Sequence, residues 1–167
     1  FYISSLEGNL DLLEKLIGFA QEQGIRIALN PGRRELEQKA SLRPLLSHVN
    51  VLLLNRSEAE VLTGTSHLSQ IESKALSLRA PVIVVTDGRR GAHVFTPEQK
   101  LYSPIVNSTP VDETGAGDAF GAAFVAALAR HLSPNQALNW GIRNSASVVS
   151  RLGAKPGLLT LSQISSF

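Results

Sequence analysis

The residues from Val111 to Phe120 have the clearest chemical potential in this sequence: Val-Asp-Glu-Thr-Gly-Ala-Gly-Asp-Ala-Phe. Gly115 and Gly117 open a run of small residues whose spacing predicts a helix. Such a turn leaves backbone N–H groups without side chains around them, and with the positive end of the helix dipole they suit an anion. Asp118 falls in the first turn, where a carboxylate could accept a proton from a hydroxyl beside a bound phosphoryl group. Taken alone, the same residues also fit a plain tight turn whose aspartate complements the dipole.

The elements that must position these residues alternate along the chain. Apolar and β-branched runs predict strands, and apolar residues at helical spacing predict helices. Strands are expected over 1–5, 25–29, 49–54, 81–85, 92–95 and 101–103. Helices are expected over 9–23, over 35–46 with an interruption at Pro44, over 57–62, over 68–78, from 115 onward and over 135–151. This order predicts an α/β fold with a mainly parallel sheet.

Ligands bind at the carboxyl ends of the strands in such a sheet, so the residues that follow each strand are candidates. They are Asn30, Asn55, Thr86 and the segment before Gly115. Asn30 begins an Asn-Pro-Gly stretch that also fits a plain turn. With 167 residues, 43% hydrophobic and 18% charged, the chain is expected to form one soluble globular domain.

Composition and spacing exclude several other chemistries. Zero Cys rules out disulfides and thiolate chemistry, and the four His have no ligand spacing. A net charge of +2 is too even for a nucleic-acid surface or a polybasic membrane patch, and no apolar run is long enough to span a bilayer. No Gly-Lys-Ser/Thr of a P-loop occurs, and Phe120 stands where a dinucleotide-binding fingerprint needs Gly.

Local sequence patterns predict roles for the residues that follow the third and fourth predicted strands. Ser57 with Glu60 fits a capping box, which would leave Glu58 free to face a ligand or, equally, solvent. Asp87-Gly88 is a hairpin turn signal, although the hydroxyl of Thr86 beside glycine backbone also suits a triphosphate. The arginines that follow Gly88 fit either phosphate oxygens or solvent.

Four stretches together resemble the ribokinase-like sugar kinases of the PfkB family. Residues 111–118 are similar to its Asp-Thr-x-Gly-Ala-Gly-Asp signature, with Glu113 where Thr is usual. The other three matches, in the family's order, are Asn55-Arg56-Ser57-Glu58 to Asn-x-x-Glu, Thr86 to Gly91 to Thr-x-Gly-x-x-Gly, and Gly153-Ala154 to a late Gly-Ala. The resemblance implies a ribokinase-like (Rossmann-like) fold, a mainly parallel sheet flanked by helices.

The resemblance also implies roles for individual residues. Asp118 would be the catalytic base, with an anion hole from the amides of Gly115, Ala116, Gly117 and Asp118 itself. The cofactors would be ATP and Mg²⁺, with the ion held through water by Glu58. The implied nucleotide contacts are Asn55, Thr86, Gly88, Gly91 and Asn144.

A monovalent cation, K⁺, often lies beside the anion hole in this family. The matching positions are Asp112, Thr114, Val148, Arg151, Gly153 and Gly157. Some relatives have Ser near the last position, and Gly157 lacks that hydroxyl, which leaves potassium activation open.

The implied activity is transfer of the γ-phosphoryl group of ATP to a hydroxyl of a sugar or sugar-like molecule. A nucleoside kinase and a non-catalytic nucleotide-binding module are the alternatives. The resemblance further implies a cytoplasmic protein with a small-molecule partner, no nucleic acid and no membrane, and it leaves a homodimer open. Because the chain has no Met, Phe1 is expected to mark an excerpt: residues 1–167 would be the C-terminal nucleotide-binding and catalytic portion of a ribokinase-like domain whose N-terminal part is missing.

Overall fold

The computed structural model describes residues 1–106 and 109–166, which form both strands and helices. Within these residues, six strands form a sheet in the order β1-β2-β3-β4-β5-β6. The strands are β1 (Tyr2–Ile3), β2 (Ala28–Leu29), β3 (Val51–Asn55), β4 (Val82–Thr86), β5 (Ala92–Phe95) and β6 (Lys100–Ser103). The helices are α1 (Leu10–Glu22), α2 (Arg33–Glu37), α3 (Lys39–Leu46), α4 (Arg56–Thr63), α5 (Leu68–Leu76), α6 (Ala116–Ala129), α7 (Pro134–Val149) and α8 (Leu161–Ser165).

The first four strands run parallel, each beside the next along the chain. Ala28 is level with Val51, and Val51 is level with Val82, so their carboxyl ends meet at one edge of the sheet. The predicted α/β fold with a mainly parallel sheet is therefore confirmed. The register also makes Asn55 and Thr86 neighbours at the ends of β3 and β4.

The chain forms two compact units. Unit 1 comprises Phe1–Thr86 and Val94–Lys100, and unit 2 comprises Asp87–His93 and Leu101–Phe167. Unit 1 has a core in which β3 and β4 are covered by helices; Leu52 and Ile83 are fully buried there. Each such aliphatic side chain contributes about 1.5–3 kcal/mol by leaving water.

Unit 2 is built on the packing of α6 against α7. Gly141 of α7 makes the close approach feasible, because a Cβ there would lie 2.7 Å from the ring of Phe120. Phe120 and Phe124 of α6 stack with ring centroids 5.9 Å apart. The missing side chain at Gly141 thus lets α7 approach α6 closely at Phe120.

Several elements differ from the sequence expectation, and β1 is Tyr2–Ile3 instead of 1–5. The strand expected over 25–29 shortens to Ala28–Leu29, because the Ile27 amide donates to the Asn50 side chain at 2.8 Å instead of to a neighbouring strand. The helix expected over 35–46 divides at Gln38, whose amide donates to the Glu35 carbonyl, whereas Pro44 is accommodated inside α3. The short α8, capped by Thr160, had no prediction.

Glu35 is an acidic residue of α2 that the sequence analysis did not single out, and it is only 1% exposed. Its Oε1 accepts the amides of Leu6 at 2.6 Å and Gly8 at 2.9 Å, and its Oε2 accepts the Ser5 hydroxyl at 3.1 Å. Burial raises the pKa of Glu35, but the hydrogen bonds from Gly8, Leu6 and Ser5 outweigh it and hold the pKa below its usual value. The Glu35 carboxylate therefore connects the loop after β1 to α2 by hydrogen bonds.

Replacing this carboxylate is expected to destabilise unit 1. Glu35→Ala leaves two backbone donors without an acceptor, which should cost about 2 kcal/mol of unfolding free energy at pH 7, measured by urea denaturation. Because the folded pKa is lowered, the contribution of Glu35 is present above the unfolded glutamate pKa and is lost as pH falls through the folded pKa. The difference between wild type and Glu35→Gln should shrink over that acidic range. Equal stability of Glu35→Ala and wild type at pH 7 would contradict this role.

Candidate active site

The polar residues predicted after β2, β3 and β4 lie together in unit 1. We call Asn30, Asn55, Glu58 and Thr86 the strand-end cluster. The Asn30 side-chain amide donates to the Leu53 carbonyl oxygen at 3.0 Å, which fixes it against the neighbouring strand. Thr86 lies beside Asn55 in the register, as the parallel sheet requires.

Asn55 and Glu58 form the capping box at the start of α4. The Asn55 side-chain oxygen accepts the Glu58 amide at 2.9 Å, and the Glu58 carboxylate accepts the Asn55 amide at 2.8 Å. The prediction of a Ser57–Glu60 capping box is wrong by two residues; Glu60 instead pairs with Arg56 at 2.9 Å. An N-cap Asn followed three residues later by Glu was a signal in the sequence, but it competed with the Ser57 pattern.

Glu58 is half-buried, and its environment disfavours the ionised form. Burial raises the pKa of Glu58, and hydrogen bonds from the Asn55 amide and the Asn30 side chain lower it only in part. A cation beside this carboxylate would favour its charged form. The structure thus brings Asn30 and Asn55 together around the Glu58 carboxylate. A bound cation would stabilise the charged form of this carboxylate.

The glycine turn, residues 113–118, opens α6 in unit 2. Gly115 adopts a φ of +77°, the left-handed conformation that favours glycine. A Cβ at Gly115 would lie 2.7 Å from the Ala154 Cβ and 3.0 Å from its Cα. Two separate sequence signatures, the glycine turn and Gly153-Ala154, therefore pack directly on each other.

The backbone amides of the glycine turn are largely open. Among residues 1–106 and 109–166, the amides of Gly115, Gly117 and Asp118 have no hydrogen-bond acceptor. The Ala116 amide, which is also a predicted member of the anion hole, donates to the Glu113 carbonyl at 3.3 Å. Gly117 faces open space, since a Cβ there would meet no atom within 4 Å.

Asp118 is exposed beside these amides. In the described part of the chain, its carboxylate makes no hydrogen bond or ion pair. Open amides therefore lie at the start of a helix with a carboxylate on the same turn. Such a site can hold an anion and accept a proton next to it.

Asp112 joins the glycine turn to the loop after α7. Its Oδ1 accepts the Thr114 amide and its Oδ2 accepts the Gly153 amide, both at 2.9 Å. Hydrogen bonds from the Thr114 side chain and backbone, and from the Gly153 backbone, hold the pKa of Asp112 below its usual value. The structure thereby brings together three of the residues predicted to surround a monovalent cation.

The remaining predicted cation ligands are Val148 near the end of α7, and Arg151 and Gly157 in the loop that follows it. The buried Val148 offers a carbonyl oxygen that accepts the Arg151 amide at 3.0 Å. Gly157 has a φ of +93° and approaches the Ser147 carbonyl too closely for any side chain. Backbone carbonyl oxygens can coordinate K⁺, so those at Val148, Arg151 and Gly157 remain candidate ligands.

Asn144 is buried, with 5% of its surface exposed. Its side-chain NH₂ donates to the Ala119 carbonyl at 2.7 Å, and its side-chain oxygen accepts the Leu159 amide at 2.9 Å. It therefore braces the first turn of α6, directly after Asp118, against the chain that leads to α8. The sequence analysis predicted a nucleotide contact for Asn144 and missed this bracing role, which only the packing of α6 on α7 creates.

The arginine turn, Asp87–Gly91, follows β4 and carries the predicted nucleotide residues Gly88 and Gly91. Both glycines have positive φ, +53° and +89°. Gly91 also passes so close to the Ser103 carbonyl that no Cβ fits. The space beside Gly88 is open, which suits the approach of a ligand to its backbone.

Two absences hold for the described residues. No group of three or more His, Cys, Asp or Glu side chains in residues 1–106 and 109–166 is arranged to hold a metal ion. Across those same ranges, none of the helices combines the length and the apolar character that crossing a bilayer requires.

Comparison with known proteins identifies first the fold and then the family. The fold is ribokinase-like: fructokinase from Vibrio cholerae O395, solved with fructose, ADP and a calcium ion bound, superposes with a TM-score of 0.86 at 22% identity, over 98% of this chain and 59% of that chain. The model of the pfkB family carbohydrate kinases matches residues 1–161, so the chain belongs to that family.

Curated relatives include kinases of different acceptors. Ribokinase of Bacillus subtilis is 29% identical over 92% of this chain and 50% of its own length. Cytidine kinase of Thermococcus kodakarensis is 27% identical over 92% of this chain and 56% of its own length. The chain thus spans about half the length of the curated relatives that it matches.

Two glycine variants test the geometry of the glycine turn. Gly115→Ala forces a side chain into a left-handed φ and against Ala154, which should cost about 1–3 kcal/mol of unfolding free energy. Gly117→Ala, the matched control, adds a Cβ in open space and should change stability by less than about 1 kcal/mol. Thermal and urea unfolding measure both. Equal effects of the two variants would contradict the packing of Gly115 on Ala154.

Proposed function

We propose that the protein is an ATP-dependent kinase that transfers the γ-phosphoryl group to a hydroxyl of a sugar or sugar-like molecule. One observation carries the proposal: the open amides of Gly115, Gly117 and Asp118 stand beside the exposed Asp118 carboxylate. Membership of the pfkB family supports the same chemistry. The sequence signatures and the geometry of the glycine turn point to the same residues.

The residues fit magnesium-bound ATP. Open backbone amides at Gly115, Gly117 and Asp118 suit phosphate oxygens, and Asn55, Thr86, Gly88 and Gly91 remain the predicted nucleotide contacts. Magnesium keeps several waters and needs few protein carboxylates, so the single Glu58 is a sufficient ligand through water. When bound, Mg²⁺-ATP supplies the phosphoryl group and neutralises charge that develops on its oxygens.

The chain's own contribution is proton transfer and charge stabilisation. Asp118 accepts the proton of the acceptor hydroxyl as that oxygen forms its bond to the γ-phosphorus and the bond to the leaving ADP breaks. The amides of Gly115 and Gly117 donate to the transferring group, where negative charge accumulates. Asn144 and Ala154 hold the turn that presents these amides, so little reorganisation is needed during the reaction.

The acceptor class is proposed from the relatives. Curated relatives are named ribokinase and cytidine kinase, so a nucleoside kinase is the second candidate. ATP consumption by the intact protein, measured with a panel of pentoses, hexoses, sugar phosphates and nucleosides, separates them. Nucleotide binding without turnover on any acceptor would favour the non-catalytic module instead.

Asp118→Asn tests the proposed base. It keeps the size of the side chain but removes the proton acceptor, so turnover by the intact protein should fall by about 10²–10⁴-fold while ATP affinity stays within a few-fold. Steady-state kinetics give turnover, and calorimetric titration with ATP gives affinity. Turnover within a few-fold of wild type would remove Asp118 as the base.

Glu58→Gln tests the magnesium ligand without removing the helix cap. Gln at this position can still accept the Asn55 amide, so stability should change by less than about 1 kcal/mol. Loss of the charge should raise the Mg²⁺ concentration needed for half-maximal activity. In wild type, the raised pKa of Glu58 means that protonation competes with Mg²⁺ as pH falls, so the Mg²⁺ requirement should rise toward acid pH and stay flatter in Glu58→Gln. An unaltered Mg²⁺ titration would return Glu58 to a capping role alone.

A further inference from the structure

An ion pair connects the arginine turn with the glycine turn inside unit 2. The Arg89 guanidinium lies 3.5 Å from the Glu113 carboxylate, and both side chains are exposed, 76% and 68%. The two residues are far apart in sequence and lie in two turns predicted to bind the nucleotide. An exposed pair of this kind stabilises a fold by only about 0–1 kcal/mol, so its larger effect would be on a charged ligand nearby.

The arginine turn is held rigidly by its own hydrogen bonds. The Asp87 amide donates to the Gly91 carbonyl at 2.8 Å, and the Arg90 amide donates to the Asp87 carbonyl at 3.0 Å. The Arg90 guanidinium binds the Asp87 carboxylate through two bonds of 3.0 Å. The two adjacent arginines are therefore different: Arg90 closes its own turn, and Arg89 extends to Glu113.

Glu113 carries a negative charge in the glycine turn, two residues before Gly115. Its carbonyl accepts the amide of Ala116, the first residue of α6, so its backbone is part of the glycine turn. A carboxylate here repels the phosphates that the open amides would bind. The Arg89 guanidinium neutralises that carboxylate at 3.5 Å.

We propose that Arg89 sets the affinity for the nucleotide phosphates by compensating the charge of Glu113. This inference rests on the proposed function, because it concerns the anion that the glycine turn binds. Arg89 is a positioning residue in this scheme: it acts on the phosphates through Glu113. Removing Arg89 alone should expose the phosphates to the Glu113 charge, and removing both charges should restore affinity.

The test is a double-mutant cycle in the intact protein. Calorimetry with Mg²⁺ and a non-hydrolysable ATP analogue should give a Kd that is about three- to tenfold weaker for Arg89→Gln. Arg89→Gln combined with Glu113→Gln should lie within about twofold of wild type, since neither charge is then present. Arg89→Lys, which keeps the charge, should rescue most of the loss, and the loss should shrink as salt rises.

A matched control comes from another exposed arginine–glutamate pair. Arg34 lies 2.9 Å from Glu7, with exposures of 67% and 75%, and carries no predicted nucleotide contact. Arg34→Gln should leave the Kd unchanged. Unfolding temperatures of all variants verify that each one is folded.

The outcomes separate this inference from the proposed function. If wild type binds no nucleotide, the proposed function fails and the inference falls with it. If wild type binds but Arg89→Gln behaves like Arg34→Gln, only the inference is overturned. If the double variant is as weak as Arg89→Gln, Arg89 acts on the phosphates without Glu113, which also overturns it.

Discussion

Unsatisfied backbone amides at the start of α6 are the feature on which the site depends. Peptide groups left open at a helix start must find water, a side chain or a ligand, and here Gly115, Gly117 and Asp118 offer three of them to solvent among the described residues. Gly115, which opens this turn, is in the left-handed conformation and packs against Ala154. The exposed Asp118 lies on the same turn, and we propose it as the proton acceptor beside a bound anion.

Four carboxylates illustrate how environment divides one functional group among different tasks. Glu35 is buried among amide donors and fastens a loop, whereas Asp112 uses both oxygens to join two turns. Glu58 caps a helix in surroundings that disfavour its charge, and we propose it as the magnesium ligand. Asp118 keeps its carboxylate exposed. Hydrogen-bond donors close at hand distinguish the structural carboxylates from the one proposed to react.

The candidate site is held in place by contacts that take no part in the proposed proton transfer. Asn144 connects the first turn of α6 to the chain before α8, and its buried amide satisfies a donor and an acceptor at once. The parallel register of β3 and β4 similarly places Asn55 beside Thr86 without any direct bond between their side chains being required. These contacts hold the candidate site residues in place before any ligand binds.

Hydrophobic periodicity and the four signatures determined the α/β class, most elements and the identity of the candidate residues, because both are local properties of the chain. Periodicity could not place the break at Gln38, the Asn55–Glu58 cap or the buried Glu35. Each depends on which donors the folded chain brings near: Leu6 and Gly8 approach Glu35 only after β1 and α2 are in place, and Ala119 reaches Asn144 only when α6 packs on α7. The sequence specifies which polar groups exist. Long-range packing decides which of them already have hydrogen-bond partners and which stay open to a ligand.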